Sequence, residues 1–176
     1  MTKREVKSPE PTMRNELVVI RRTDGTVIKG LLEWDGDDEH VVPTVPLPEA
    51  LYLRTEGSGE RFLVRASQTK AVFFVKGHEG SPDHDEVKFF SDIAATDLWI
   101  RIRFADGEVL EGQTQNDTRL LFDSGIWLRP FDRTGNNVLV YVPKCSVAEF
   151  HVMGVAIHKR TDAVAVPGEP ALARTK

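Results

Sequence analysis

The residue pattern predicts an all-β protein: two tandem, small, strongly bent five-stranded barrels with disordered N- and C-terminal tails. Three observations carry that expectation. The apolar residues come in short or alternating runs, the mark of strands rather than helices. The layout of Leu17-Val18-Val19-Ile20-Arg21-Arg22-Thr23-Asp24-Gly25-Thr26-Val27-Ile28-Lys29-Gly30 returns in Leu98-Trp99-Ile100-Arg101-Ile102-Arg103-Phe104-Ala105-Asp106-Gly107-Glu108-Val109-Leu110-Glu111-Gly112. Each copy ends in a closing apolar strand, Thr69 to Val75 and Val147 to Met153.

Residues 1–15 mix charge with Pro9 and Pro11 and show no periodicity, so they are read as a disordered arm. Residues 16–77 form the first unit. Val18 and Ile20 alternate with Val19 and Arg21, and Asp24-Gly25 supplies a turn that needs a positive φ. Val27, Ile28, Leu31 and Leu32 continue as a second strand, interrupted by Gly30. A glycine inside a strand marks a bulge, a bend or a close backbone approach. Asp35 to His40 is an acidic loop, and Val41 to Pro46 is too rich in proline for a central strand. Leu51-Tyr52-Leu53 and Arg61 to Arg65 form a hairpin across Glu56-Gly57-Ser58-Gly59. Lys70 to Val75 reads as a mostly buried strand.

Residues 78–96 form a linker dense in Gly, Pro and charge, with one short helix expected between Val87 and Thr96. Residues 97–157 are the second unit. Ile100, Ile102 and Phe104 face one way, and Trp99, Arg101 and Arg103 the other. Leu120-Leu121-Phe122, Ile126-Trp127-Leu128 and Val138 to Val142 are expected strands, with Gly135-Asn136-Asn137 turning before the last. Residues 158–176 read as a disordered tail.

The copies align with one gap. Asp24 and Asp106 differ by 106 − 24 = 82, whereas Arg54 and Arg129 differ by 129 − 54 = 75, so the loop after the second strand has changed length. The glycine spacing within the bent hairpin is kept: Asp24, Gly25 and Gly30 answer to Asp106, Gly107 and Gly112. A unit of this size buries only about 60% of its chain surface, so the units are expected to pack on one another or on a partner.

Composition excludes several functions. The chain has 176 residues, 40% of them hydrophobic, and no apolar run near the roughly 20 residues that span a bilayer. Met1 to Lys7 is not followed by the apolar segment of a secretory signal. A lone Cys145 allows no internal disulfide, which fits a reducing, cytoplasmic compartment. A net charge of -4 weighs against a dedicated duplex-binding protein.

Apolar strand, Asp-Gly, a later Gly and a bent strand together resemble the first motif of Sm-like proteins, and SH3-like barrels share the build. Val75-Lys76-Gly77 and Met153-Gly154 resemble the Sm-like second motif. The stretch from Ile102 to Gly112 and the strand Ala71-Val72-Phe73-Phe74-Val75-Lys76 are also similar to an uncharacterised group of bacterial tandem-repeat proteins. The Sm-like resemblance would imply an RNA site built from Asp, Asn and a basic residue. The first unit offers Asp35 and Lys76 without the Asn. The second offers Asn116 and Asp117, but Met153 stands at the basic position. Asp123-Ser124-Gly125-Ile126-Trp127 resembles part of the PilZ motif for cyclic di-GMP, without its Arg-x-x-x-Arg element.

No catalytic, cofactor-binding or metal-binding constellation is expected. His78, Glu79, Asp83, His84 and Asp85 have ligand chemistry but read as a solvated linker. Cys145 would need a base, and His151 is six residues on, so an ordinary core or edge cysteine is the simpler reading. Trp99, Arg101, Arg103, Trp127 and Arg129, with Trp34 beside them in the question, suit either a partner-binding face or an interface between the units. Unpaired strand edges are the other candidate, since a small open barrel can add a strand from a partner or from its own copy. Tandem repeats would satisfy one such edge internally. The expected function is therefore non-enzymatic: a binding or assembly module acting through edge strands and the Trp/Arg face. A protein partner or self-association is expected. The alternative is binding of single-stranded RNA or a cyclic dinucleotide on the Sm-like or PilZ-like surface.

Overall fold

A computed structural model describes residues 14–34, 46–79, 97–132 and 134–155. The arm before residue 14, the acidic loop, the expected linker helix and the C-terminal tail lie outside the described residues. The first half holds β1 (Arg14–Arg22), β2 (Val27–Trp34), β3 (Ala50–Arg54), β4 (Arg61–Arg65) and β5 (Thr69–Val75). The second holds β6 (Asp97–Phe104), β7 (Val109–Gln115), β8 (Gly125–Leu128), β9 (Asn137–Pro143) and β10 (Val147–Val155). A 3-10 turn joins β4 to β5 at Ala66–Gln68, and another joins β9 to β10 at Lys144–Ser146.

The turns form where the sequence puts them. Gly25 and Gly107 both take φ +85, and Asp24 and Asp106 each accept a backbone N–H two residues on. Gly57 and Gly59 also take positive φ in the β3–β4 hairpin. The mid-strand glycines mark a close backbone approach. A Cβ on Gly30 would lie 2.8 Å from the Arg54 carbonyl oxygen, and one on Gly112 would lie 2.4 Å from that of Arg129. Arg54 and Arg129 are the residues that the sequence aligns.

The strands form a seven-stranded sheet, β4-β3-β2-β1-β5-β9-β8, and a three-stranded sheet, β10-β6-β7. A reciprocal backbone pair between Gln113 and Arg129 links β7 to the end of β8. Each half thus presents its strands in the order fifth, first, second, third, fourth. Neither half closes into a barrel among the described residues. Closure would spend the outer edge of β5 on its own β4. That edge is taken instead by β9 of the other half, through Val72–Tyr141, Phe73–Val140 and Phe74–Leu139. The two halves therefore share one sheet.

Two apolar clusters follow from this pairing. Val18, Ile20, Leu53, Val72 and Phe74 pack with Leu139 and Tyr141 on one side of β5 and β9. Ala71, Phe73, Val75, Val140 and Val142 pack with Ile100, Ile102 and Phe104 on the other. Strand β5 is buried along its whole length, as a continuous apolar run predicts.

One expected strand is a helix. Leu120-Leu121-Phe122 belongs to the single turn α1 (Arg119–Phe122), with Leu121 75% and Phe122 83% exposed. Asp117 explains the difference: its carboxylate accepts the Arg119 backbone N–H at 2.8 Å and starts a turn where a strand would need extended backbone.

Candidate interaction edge

Strand β10 pairs with β6 on one side only among the described residues. Its register places Phe150 opposite Ile102 and Val152 opposite Ile100. Directly opposed residues share a face, so both side chains extend the buried Ile100/Ile102 row outward. Ile100 and Ile102 are fully buried, yet Phe150 is 36% and Val152 50% exposed. Met153 and Val155 add further exposed apolar surface. The other face of β10 is polar: Glu149 accepts from Arg103 Nε at 2.9 Å and stands 3.2 Å from His151 Nε2.

Strand β4 ends the seven-stranded sheet and, among the described residues, pairs with β3 alone. It turns Val64 inward and leaves Leu63 exposed, next to exposed Tyr52. Arg61 stacks over the Tyr52 ring at 4.1 Å and bonds Glu33 at 2.7 Å, and Arg54 bonds Glu33 at 2.5 Å. The hydrogen bond from Arg54 holds the Glu33 carboxyl below its ordinary value, against the cost of burial. The edge thus carries apolar side chains between fixed charges.

The five residues proposed for a partner face have separate surroundings. Register sets Trp99 beside Gln113 and Gln113 beside Arg129, so these share a face. Trp99 meets Phe131 edge-on at 6.1 Å. Arg101 is paired with Glu111 at 2.7 Å, Arg103 with Glu149, and Arg129 lies 3.9 Å from Asp97. Trp127 packs between the halves, 5.6 Å from Phe74 and 4.7 Å from Tyr141. Trp34 ends β2 opposite Arg14.

The other candidate groups are engaged locally. His78 Nδ1 lies 2.7 Å from Glu56, and Nε2 lies 3.2 Å from the Val18 carbonyl. Asp83, His84 and Asp85 lie outside the described residues. Cys145 is exposed, and its thiol points at the Ala66 carbonyl at 3.9 Å, while His151 sits with Glu149. Asp117 is bound by Arg119, which holds its carboxyl below the ordinary range. Lys76 donates to the Thr134 carbonyl at 3.3 Å. Ser124 bonds the Tyr141 hydroxyl, and a Cβ on Gly125 would meet the Tyr141 ring at 2.2 Å. The PilZ-like stretch is therefore consumed in packing.

Sequence reasoning missed one cluster. Lys70 is 8% exposed and donates to Asp106 and, at 2.5 Å, to Glu108, which also accepts from Arg21 at 2.6 Å. Its ammonium stands 4.7 Å from the Phe104 ring centroid. Burial alone would lower the Lys70 pKa, but the hydrogen bonds it donates to Asp106 and Glu108 outweigh that and raise it. The cluster ties the second half's Asp-Gly turn to the first half. The only hint was a lysine starting an otherwise apolar strand.

Fold and edges together define a two-sheet all-β protein whose halves share a sheet and whose terminal strands keep apolar side chains in solvent. The chain belongs to the family of unknown function DUF6982, whose model matches residues 14–154. No curated protein and no solved structure matches it. Among the described residues no helix is long and apolar enough to cross a membrane.

Proposed function

We propose that this protein is a non-enzymatic binding and assembly module made of two diverged copies of one Sm-like or SH3-like unit, acting through its terminal strands. The supporting observation is β10: a nine-residue strand that is paired on a single side among the described residues, with exposed Phe150 and Val152 aligned with a buried row. Natural proteins usually blunt such edges with charge or proline. Adding a strand there would satisfy its backbone groups and cover the apolar side chains in one step. The copy relation draws on the common strand order, the 3-10 turn before each fifth strand and the paired glycine–carbonyl contacts. The Trp/Arg face contributes less, because Arg101 and Arg103 already have carboxylate partners.

A photo-crosslinker at His151, in the full chain in lysate of the source organism, tests the reading. One dominant adduct is expected, and Val152→Lys should abolish it. Diffuse labelling that Val152→Lys leaves unchanged would refute an edge-strand function.

A further inference from the structure

We propose that the occupant of the β10 edge is β4 of a second copy of this chain, added head to tail in the register that β5 and β9 already use. This rests on the edge-strand reading above and gives it a partner. The internal junction is the template. Strand β5 is the fifth strand of the first half, and β9 is the fourth strand of the second. Apart from β7 and β8, which the Gln113–Arg129 pair links, the remaining edges among the described residues are a fifth strand, β10, and a fourth strand, β4. The protein therefore carries one joined pair of this kind and the two halves of another.

The correspondence extends to single residues. On β5, Val72 faces Ile20 and Phe74 faces Val18. On β10, Phe150 faces Ile102 and Val152 faces Ile100. Strand β5 skips Lys70 in its pairing with β1, and β10 skips Ala148 in its pairing with β6, so both strands carry the same irregularity. That irregularity does not prevent β5 from accepting β9 on its other side. The bulge in β10 is thus no barrier to a partner.

Transferring the register is then arithmetic. Val72 pairs with Tyr141. Phe150 follows Val72 by 150 − 72 = 78, and Leu63 precedes Tyr141 by 141 − 63 = 78. Phe150 of one copy should oppose Leu63 of the next, His151 should oppose Phe62, and Val152 should oppose Arg61. Tyr52 stands where Trp127 stands in the second half. Trp127 covers Phe74, so Tyr52 would cover Val152. The exposed apolar residues Tyr52, Leu63, Phe150 and Val152 become each other's cover. The junction would be more polar than the internal one, because Arg61 replaces Leu139 and His151 replaces Phe73. That composition suits copies that meet and part, unlike halves that fold together. Such a heterologous contact propagates as a ring or an open chain, according to the rotation between copies.

Two blocked variants of the full chain decide it. Wild type should run as a concentration-dependent series of oligomers in sedimentation velocity. Leu63→Lys blocks one edge and Val152→Lys the other, so each alone should be monomeric. Mixed, they should give a 1:1 dimer and nothing larger, joined through their intact edges. That rescue also shows that both variants fold. Independently, Leu63→Cys with Phe150→Cys in a Cys145→Ser background should give a disulfide ladder on a non-reducing gel. A monomeric wild type at every concentration overturns the proposal. So does a Leu63→Lys variant that still dimerises, since that means β10 pairs with β10. If His151 crosslinks a different protein while the chain stays monomeric, self-assembly falls and the edge-strand function stands.

Discussion

Strands β5 and β10 hold the same place in the two halves, yet β5 is buried throughout and β10 is mostly exposed. Both pair with the first strand of their own half in the same register. What separates them is the second neighbour: β5 has β9 and β10 has none among the described residues. Burial in a sheet is therefore set by the company a strand keeps on its far side. The residues are consistent with this. Ala71, Phe73 and Val75 make the outer face of β5 apolar, whereas Glu149 and His151 make that of β10 polar.

The comparison breaks most sharply at equivalent residues. Phe74→Ala should cost about 4 kcal/mol, the usual range for emptying a buried aromatic site, because Phe74 is 8% exposed and packs against Trp127. Val152→Ala, at the matching position of β10, should cost under about 0.5 kcal/mol in the monomer, as exposed substitutions do. Urea unfolding of both variants checks this. Equal losses would mean that β10 is as enclosed as β5.

The paired glycines give the next largest contrast. Gly112→Ala should destabilise by about 3 kcal/mol and Gly30→Ala by about 1 to 2, within the range for overpacking. The added methyl meets backbone in both cases, but at 2.4 Å with the Leu128 side chain also in the way for Gly112, against 2.8 Å for Gly30. Thermal unfolding should rank them in that order.

The Lys70 cluster sharpens the junction between the halves through pH. A hydrogen bond from Lys70 holds the Asp106 carboxyl below its ordinary 3.8. A carboxyl lowered on folding contributes stability above its unfolded pKa and loses it as pH falls through the folded value. Lys70 is raised, so its own contribution persists until strongly alkaline pH. Lys70→Met should therefore lower Tm near pH 7, with the gap to wild type closing below about pH 4. A gap that stays constant down to pH 3 would argue against this contact. The smallest effect is expected at Cys145→Ser, within about 0.5 kcal/mol, since the thiol is exposed and its contact with the Ala66 carbonyl is long.

Much of this was legible in the residues. The Asp-Gly turns, the alternation in β1 and β6 and the continuous apolar run of β5 are local patterns, and local patterns report which side chains want burial. The offset of 75 between Arg54 and Arg129 even matched the residues whose carbonyls press on Gly30 and Gly112. The helix at Leu120 was missed because Asp117 accepts the Arg119 backbone N–H and starts a turn that three apolar residues alone do not reveal. The candidate Trp/Arg face was drawn from alternation, which cannot show that Trp127 would meet Phe74 of the other half.

The amino-acid pattern by itself determined that this is a β protein and where its hairpins turn. Those properties depend on φ/ψ preferences and side-chain periodicity within a few residues. Only the tertiary structure decided that β5 joins β9 rather than β4, so that the units share a sheet instead of closing separately. Backbone hydrogen bonding carries no residue code across such distances, so every strand edge offers similar groups. The choice falls to which apolar faces cover one another, and that is a property of the whole fold.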